Sequence, residues 1–391
     1  MPEITGFAFP NDTHIHWSLM IVMYPYVTGF VAGSFIVTSL YHLFGRQEFK
    51  PIARLAMAAS FAFLLVASLP LQLHLGHPER SIEMYLTPHT SSAMAMFGFV
   101  YLWYLMAVLV LEIWLDYRKD IVLMSRSETG WKKTLYKALS LGVDNISEES
   151  LRIDDKLGRF ITIIGIPSAF LLHGYVGFIF GSIKANPGWS SPAMPIVFLF
   201  SAIVSGIAAV MLLYMALTWL RGAPIDMECV DTIARYLFYA FIIDFALESL
   251  DLIHRIYEAD ESFHTLDFMV KTRLYLPHII VQIVLGTLVP LLLLALTQVV
   301  KLTERARRGV YATAGVLTLV GIFAMRWNVV IGGQLFSKSF LGYTTYKMEF
   351  ATREGLLPAI SFMILPLAIL WVLVRLLPPW TDEKSDVRPT A

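Results

Sequence analysis

The sequence predicts an all-α, polytopic transmembrane protein of about nine spans (eight to ten), arranged as two four-helix bundles plus one extra helix. Three observations predict it. Of 391 residues, 57% are hydrophobic and 15% charged, against about 25% charged in soluble domains. Apolar runs of 20 or more residues recur along the chain, each long enough to cross roughly 30 Å of hydrocarbon as a helix. Trp and Tyr gather near the run ends, as at Trp17, Trp189, Trp219 and Trp380, in the manner of interfacial belts. Helices follow because a lipid-embedded backbone must satisfy its polar groups internally.

Taken in order, the runs place spans at roughly 15–44, 51–74, 92–116, 157–184, 192–220, 229–256, 271–300, 308–333 and 355–377. Pro51, Pro167, Pro195, Pro277 and Pro358 mark starts or kinks. Gly29 and Gly33 on the first span, and Gly174, Gly177 and Gly181 on the fourth, read as packing seams. The basic residues sort by side. One set of loops holds Arg46, Lys50, Arg118, Lys119, Arg126, Lys132, Lys133, Lys137, Arg152, Lys156, Arg221, Lys301, Arg305, Arg307 and Arg308, with Lys384 and Arg388 in the tail. The other set holds only Arg80, Lys184, Lys271, Lys338, Lys347 and Arg353. By the positive-inside rule the first set is cytoplasmic, which sets the N-terminus outside and the C-terminus inside a cytoplasmic (inner) membrane. The chain then reads as one integral membrane domain, 1–391. It has an outer-face loop at 75–91, a cytoplasmic loop at 117–156 with a surface amphipathic helix in TGWKKTLYKALSLG, and a cytoplasmic tail at 378–391. The N-terminus lacks the basic region and separate apolar core of a cleavable signal peptide.

Composition excludes some functions. Zero net charge gives no footprint for nucleic acid. A lone cysteine, Cys229, excludes an intrachain disulfide, a CxxCH haem attachment and a cysteine-ligated iron–sulfur cluster on this chain. Electrons moving through such a system need clusters or c-type haems on partner chains.

The sixth span carries the costliest pattern. In FIIDFALESLDLIH, at 100° per residue, Asp244, Glu248, Asp251 and Arg255 fall on one stripe. An acid at the centre of a membrane helix costs roughly 2.5–3.5 kcal/mol on insertion scales, so such groups face a bundle interior or a wet cavity. The bland alternative is an Asp251–Arg255 structural pair near the helix end. Other buried polar groups fall at similar depth: Tyr24 and Tyr26 on the first span, Gln72 and His74 ending the second, His173 beside Tyr175 on the fourth, His278 and Gln282 at i,i+4 on the seventh, and Arg326 and Asn328 on the eighth. Arg326 is expected to neutralise an acid of the sixth span. Nearly all of these groups converge on the outer leaflet, the inner half showing only Glu112 and His42 near span ends. The loop QLHLGHPERSIEMYLTPHTSSAM, with His74, His77, Arg80, Glu83 and His89, lacks zinc-ligand spacing and reads as a polar lid over an outer pocket.

At that loop the chain resembles a family. LHLGHPERSIEMYLTPHTSSAMAMFG is similar to the LGxPxR…P…S-x-M…G signature of the NrfD/PsrC quinone-interacting membrane subunits. GIPSAFLLHGYVGFIFGSIKANPGWSSPAMPIVFLFSAIVSG resembles the same family's block over the fourth and fifth spans. MRWNVVIGGQLFSKS is similar to the DsrP-like branch of sulfur-metabolism complexes. The resemblance covers roughly 15–375. It implies electron exchange between a membrane quinone, menaquinone or another, and an outer-face iron–sulfur partner, with multihaem cytochrome c and further redox subunits in the same complex and no redox cofactor on this chain. Carried over residue by residue, it points to Tyr24, His74, His77, Arg80, His173 and Tyr175 as quinone contacts. His77 stands where the family usually has arginine. Asp244, Glu248, Asp251, His278 and Arg326 would form a proton relay, since quinone chemistry couples two electrons to two protons and histidine trades protons near neutral pH.

Three rival readings stand beside this one. A b-type cytochrome would use His173 and His278 as axial ligands. An ion-coupled transporter would use the intramembrane acids and Arg326. A structural anchor would tolerate loss of the whole stripe.

Overall fold

The computed structural model describes residues 15–186, 188–257, 263–335 and 343–380. Lys338 and most of the predicted cytoplasmic tail, with Lys384 and Arg388, lie outside these residues, as does the Arg255 side chain.

The described residues form fourteen α-helices and no extended sheet. α1 (Leu19–His42) opens at Ser18, whose hydroxyl accepts from the Met20 backbone N–H. It leads through a short turn to α2 (Lys50–Ala67) and α3 (Leu69–His74), which together make the second span. The following loop holds a 3-10 turn, Pro78–Arg80, and the short α4 (Glu83–Leu86). The third run is α5 (Ala93–Trp103), a π-helical segment Tyr104–Leu109 and α6 (Val110–Ser127). Next come α7 (Gly130–Leu139), α8 (Glu148–Gly181), α9 (Met194–Leu220), α10 (Met227–Tyr257) and α11 (Phe263–Lys271). A π-helical stretch, Tyr275–Leu288, continues into α12 (Val289–Val299); α13 (Glu304–Val330) and α14 (Leu356–Leu376) complete the chain.

Long helical runs occupy all nine predicted positions. Among the described residues eight are long and apolar enough to cross a membrane. The ninth, α10, has the length, 31 residues, but carries the acidic stripe in its sequence. The stretch read as the loop 117–156 is largely helix: α6 runs on to Ser127 and α8 begins at Glu148. Between them α7 supplies the expected amphipathic segment. It is held by Trp114 Nε1 donating to Leu139 O at 2.9 Å and Tyr136 Oη donating to Leu376 O at 2.7 Å.

The runs group as α1, α2–α3, α5–α6 and α8, and as α9, α10, the Tyr275–Val299 run and α13. α1 joins the groups by packing against α9 and α13, and α14 is the extra helix, laid against α2. Small residues set these contacts, as lipid-immersed helices require. A Cβ on Gly33 would meet Ala202 O at 2.4 Å and Gly206 Cα at 2.6 Å. Gly286 and Gly321 make the matching approach between the π-helical stretch and α13.

The predicted inner half is richer in charge than the sequence suggested. Arg54 donates from Nε to Asp116 at 2.8 Å and from Nη1 to Asp120 at 2.7 Å. Arg118 Nε donates to Asp154 at 2.7 Å. Buried Glu112 accepts from Thr162 Oγ1 at 2.8 Å and lines a cavity of about 410 Å³ with His42 and Asp116. Convergence of costly groups on one leaflet is therefore corrected: there are two polar centres, one at each end. Arg54 and Asp116 are 62 residues apart, beyond the reach of local pattern reading.

Candidate functional site

Burial along the α10 stripe falls off toward its end, with Glu248 and Asp251 half-buried. Asp244 is buried, and its Oδ1 has no hydrogen-bond partner among the described residues. One turn on, Glu248 accepts from Gln282 Nε2 at 3.3 Å. A further turn on, Asp251 accepts from Ser191 Oγ in the segment before α9. α10 presents the three acids in sequence, and the π-helical stretch answers with His278 and Gln282. His278 Nδ1 lies 3.0 Å from Gln282 Oε1, so that nitrogen carries the proton. Asn328 on α13 donates to the same Oε1 at 2.8 Å and to Pro277 O at 3.2 Å. These groups stand at the polar end of a cavity of about 430 Å³, whose remaining wall is mostly apolar.

Arg326 departs from its expected role. It is fully buried on α13, and its Nη2 donates to His173 Nε2 at 3.0 Å, Ser201 Oγ at 2.6 Å and Phe198 O at 3.3 Å. Its Cζ lies 4.0 Å from the Phe198 ring centre, a cation–π contact. Hydrogen bonds to His173, Ser201 and a carbonyl replace the expected ion pair, because α8 and α9 hold those groups against the guanidinium. Asp244 and Glu248 remain within its electrostatic reach.

His173 is also fully buried. Nε2 accepts from Arg326, so the ring proton sits on Nδ1, 3.4 Å from Thr28 Oγ1. Thr28 in turn donates to Tyr24 O at 2.9 Å. With both ring nitrogens engaged, His173 does not suit an axial iron ligand. Of the tyrosines expected to contact a quinone, Tyr24 is buried and lies in electrostatic reach of Tyr101 and Tyr175. Tyr101, which sequence reading missed, donates to Leu64 O. Its position two turns along α5 from the lid is the only local signal that marks it.

Of the remaining residues of the set, His74 is half-buried and His77 and Arg80 are exposed. His74 Nδ1 is 3.0 Å from Glu354 Oε2, tying the end of α3 to the segment before α14. Arg353 reinforces that tie by donating to Gln72 O at 3.2 Å. His77 is exposed and paired with Glu79 at 3.0 Å, and Arg80 is exposed beside them. The fold thus joins His173 to Arg326, keeps Tyr24 and Tyr175 within electrostatic reach of each other, and leaves His77 and Arg80 exposed. No group of three or more His, Cys, Asp or Glu side chains fit to hold a metal ion occurs among the described residues.

Buried titratable side chains in a nearly all-helical apolar bundle define a multi-pass membrane protein with an internal polar track. The sequence profile described as "Polysulphide reductase, NrfD" matches residues 9–338. The chain belongs to that family. It is 27% identical over 389 residues to a subunit of the selenate reductase of Mesobacillus selenatarsenatis, covering 94% of this chain and 87% of the relative. It is 26% identical over 220 residues to the protein NrfD of Escherichia coli, covering 56% and 64%.

Proposed function

We propose that this chain is the quinone-interacting membrane subunit of a multisubunit oxidoreductase complex. It exchanges electrons between a menaquinone-type or other quinone and an iron–sulfur or cytochrome partner docked at the predicted outer end. A relative named as a selenate reductase subunit, and the resemblance to the DsrP-like branch, both favour respiration of an oxyanion or sulfur compound. The observation that carries the reading is the polar track. From Tyr24 O hydrogen bonds run through Thr28 and His173 to Arg326; Asp244 lies within electrostatic reach of Arg326, one turn before the separate network of Glu248, Gln282 and His278. It joins the predicted quinone set to the predicted relay set through the bundle.

In this reading the headgroup lies beside Tyr24 and Tyr175, under the lid tied down by His74 and Glu354. Quinol oxidation releases two protons with two electrons. His173, locked by Arg326 and Thr28, orients the tyrosine side of the site. Asp244, with a free acceptor oxygen, holds a proton. Glu248, held by Gln282 and His278, takes it up, and Asp251 further along the same face carries it toward the predicted outer surface. The N-terminus faces that surface.

The first test is the purified chain with its co-purifying partners: the Soret region and quinone in the organic extract. Quinone without a Soret band on the isolated chain is expected; a Soret band would favour the b-type cytochrome instead. His173→Ala and Asp244→Asn are expected to lower quinol turnover while the complex assembles. Unchanged turnover in both removes the site assignment.

A further inference from the structure

The cavity between α10, the π-helical stretch and α13 has an unusual hydrogen-bond balance. Both donor hydrogens of Asn328 are used, on Gln282 Oε1 and Pro277 O. The His278 donor is used on Gln282. Gln282 gives one N–H to Glu248. What remains is the second N–H of Gln282 and an excess of acceptors. Asn328 Oδ1 is buried without a donor. Glu248 uses one carboxyl oxygen in this network, and His278 keeps its Nε2 lone pair. The Asn328 amide cannot be turned to relieve this, because its oxygen would then face two other oxygens. A buried acceptor left without a donor is costly.

The remaining wall is mostly apolar, including Leu266, Ile283 and Val329, with Ser249, Asp251 and Thr287 as its further polar members, and Leu252 at the edge is half exposed on α10. That opens the cavity toward surrounding lipid. A volume of about 430 Å³ suits a ring-bearing small molecule. A bare cation fits poorly, since it asks for a cage of oxygens and most of this wall is carbon.

From this balance we infer that the cavity is a second ligand site, for a neutral amphiphile bearing aromatic hydroxyls: the reduced, hydrogen-donating quinol class in preference to the oxidised carbonyl form. One hydroxyl donates to His278 Nε2, and the ring packs on the apolar wall. The site is separate from the Tyr24–Tyr175 cluster and does not depend on the headgroup position proposed there.

The test is equilibrium dialysis of the purified complex under anaerobic reducing conditions. The probes are 2-methylnaphthalene-1,4-diol and its dimethyl ether, which has the same ring and no O–H; 2-methyl-1,4-naphthoquinone is measured separately without reductant. The diol is expected to bind at least about tenfold more tightly than the ether, the worth of roughly one hydrogen bond to a stranded acceptor. Val329→Trp, which fills the cavity, and His278→Leu, which removes an acceptor, are each expected to weaken diol binding about tenfold or more. Tyr175→Phe is expected to leave this component in place. Equal binding of diol and ether overturns the inference, and so does diol binding untouched by both cavity variants. Diol binding lost only in Tyr175→Phe would also overturn it while leaving the proposed function intact. Binding lost only in the cavity variants would uphold the inference and count against the headgroup position proposed above.

Discussion

Removing Arg326 is the most informative single change. Arg326→Met deletes the hydrogen bonds of Nη2, whose two N–H groups are shared among His173, Ser201 and Phe198 O and amount to about two charge-assisted bonds at about 1.5–3 kcal/mol each. It also deletes the contact over the Phe198 ring, worth about 2 kcal/mol when desolvated. Relief of the buried charge returns several kcal/mol of this. Ser201 is not stranded, since its hydroxyl also donates to Phe198 O at 2.9 Å. His173 Nε2 is stranded, at about 1–3 kcal/mol. The net expectation is a loss on the order of a few kcal/mol. Cys229, the single cysteine, is free and buried, so a thiol-reactive fluorogenic dye reports unfolding across a detergent titration. The decisive comparison is the cycle of Arg326→Met, His173→Leu and the double variant. A coupling of about 1–3 kcal/mol is expected for groups in direct contact. Additivity within about 0.5 kcal/mol would refute the Arg326–His173 bond and the track built on it.

Gly33→Ala places a methyl group against the backbone of α9, and is expected to cost about 1–3 kcal/mol in the same assay. Gly45→Ala, with open space around it but a left-handed backbone, tests strain without overpacking and is expected to cost about 1 kcal/mol. Tyr136→Phe removes one hydrogen bond to Leu376 O, about 0.5–1.5 kcal/mol, and is expected to loosen α7 as increased proteolysis between α6 and α8. For orientation, a Cys229→Ser background carrying His77→Cys or Lys132→Cys is treated with a membrane-impermeant maleimide on intact cells. Labelling at 77 and protection at 132 is expected, and the reverse pattern would invert the predicted topology.

The sequence by itself determined the helices and the buried acids. Length and hydropathy place nine helical runs because a lipid-immersed backbone has few other ways to satisfy itself. The period of 3.6 places Asp244, Glu248 and Asp251 on one face, and His278 within bonding distance of Gln282, because such contacts lie within one element. The tertiary structure decided the partners. Arg326 could have met an acid or a histidine. Which one it met depended on how α8 and α9 seat against α13 through contacts up to 153 residues apart. The inner network of Arg54, Asp116 and Asp120 stayed hidden for the same reason. A charge near a span end carries no mark of its partner, whereas a charge in mid-span announces that one exists. Sequence thus states the demand for compensation, and only helix packing supplies the group that meets it.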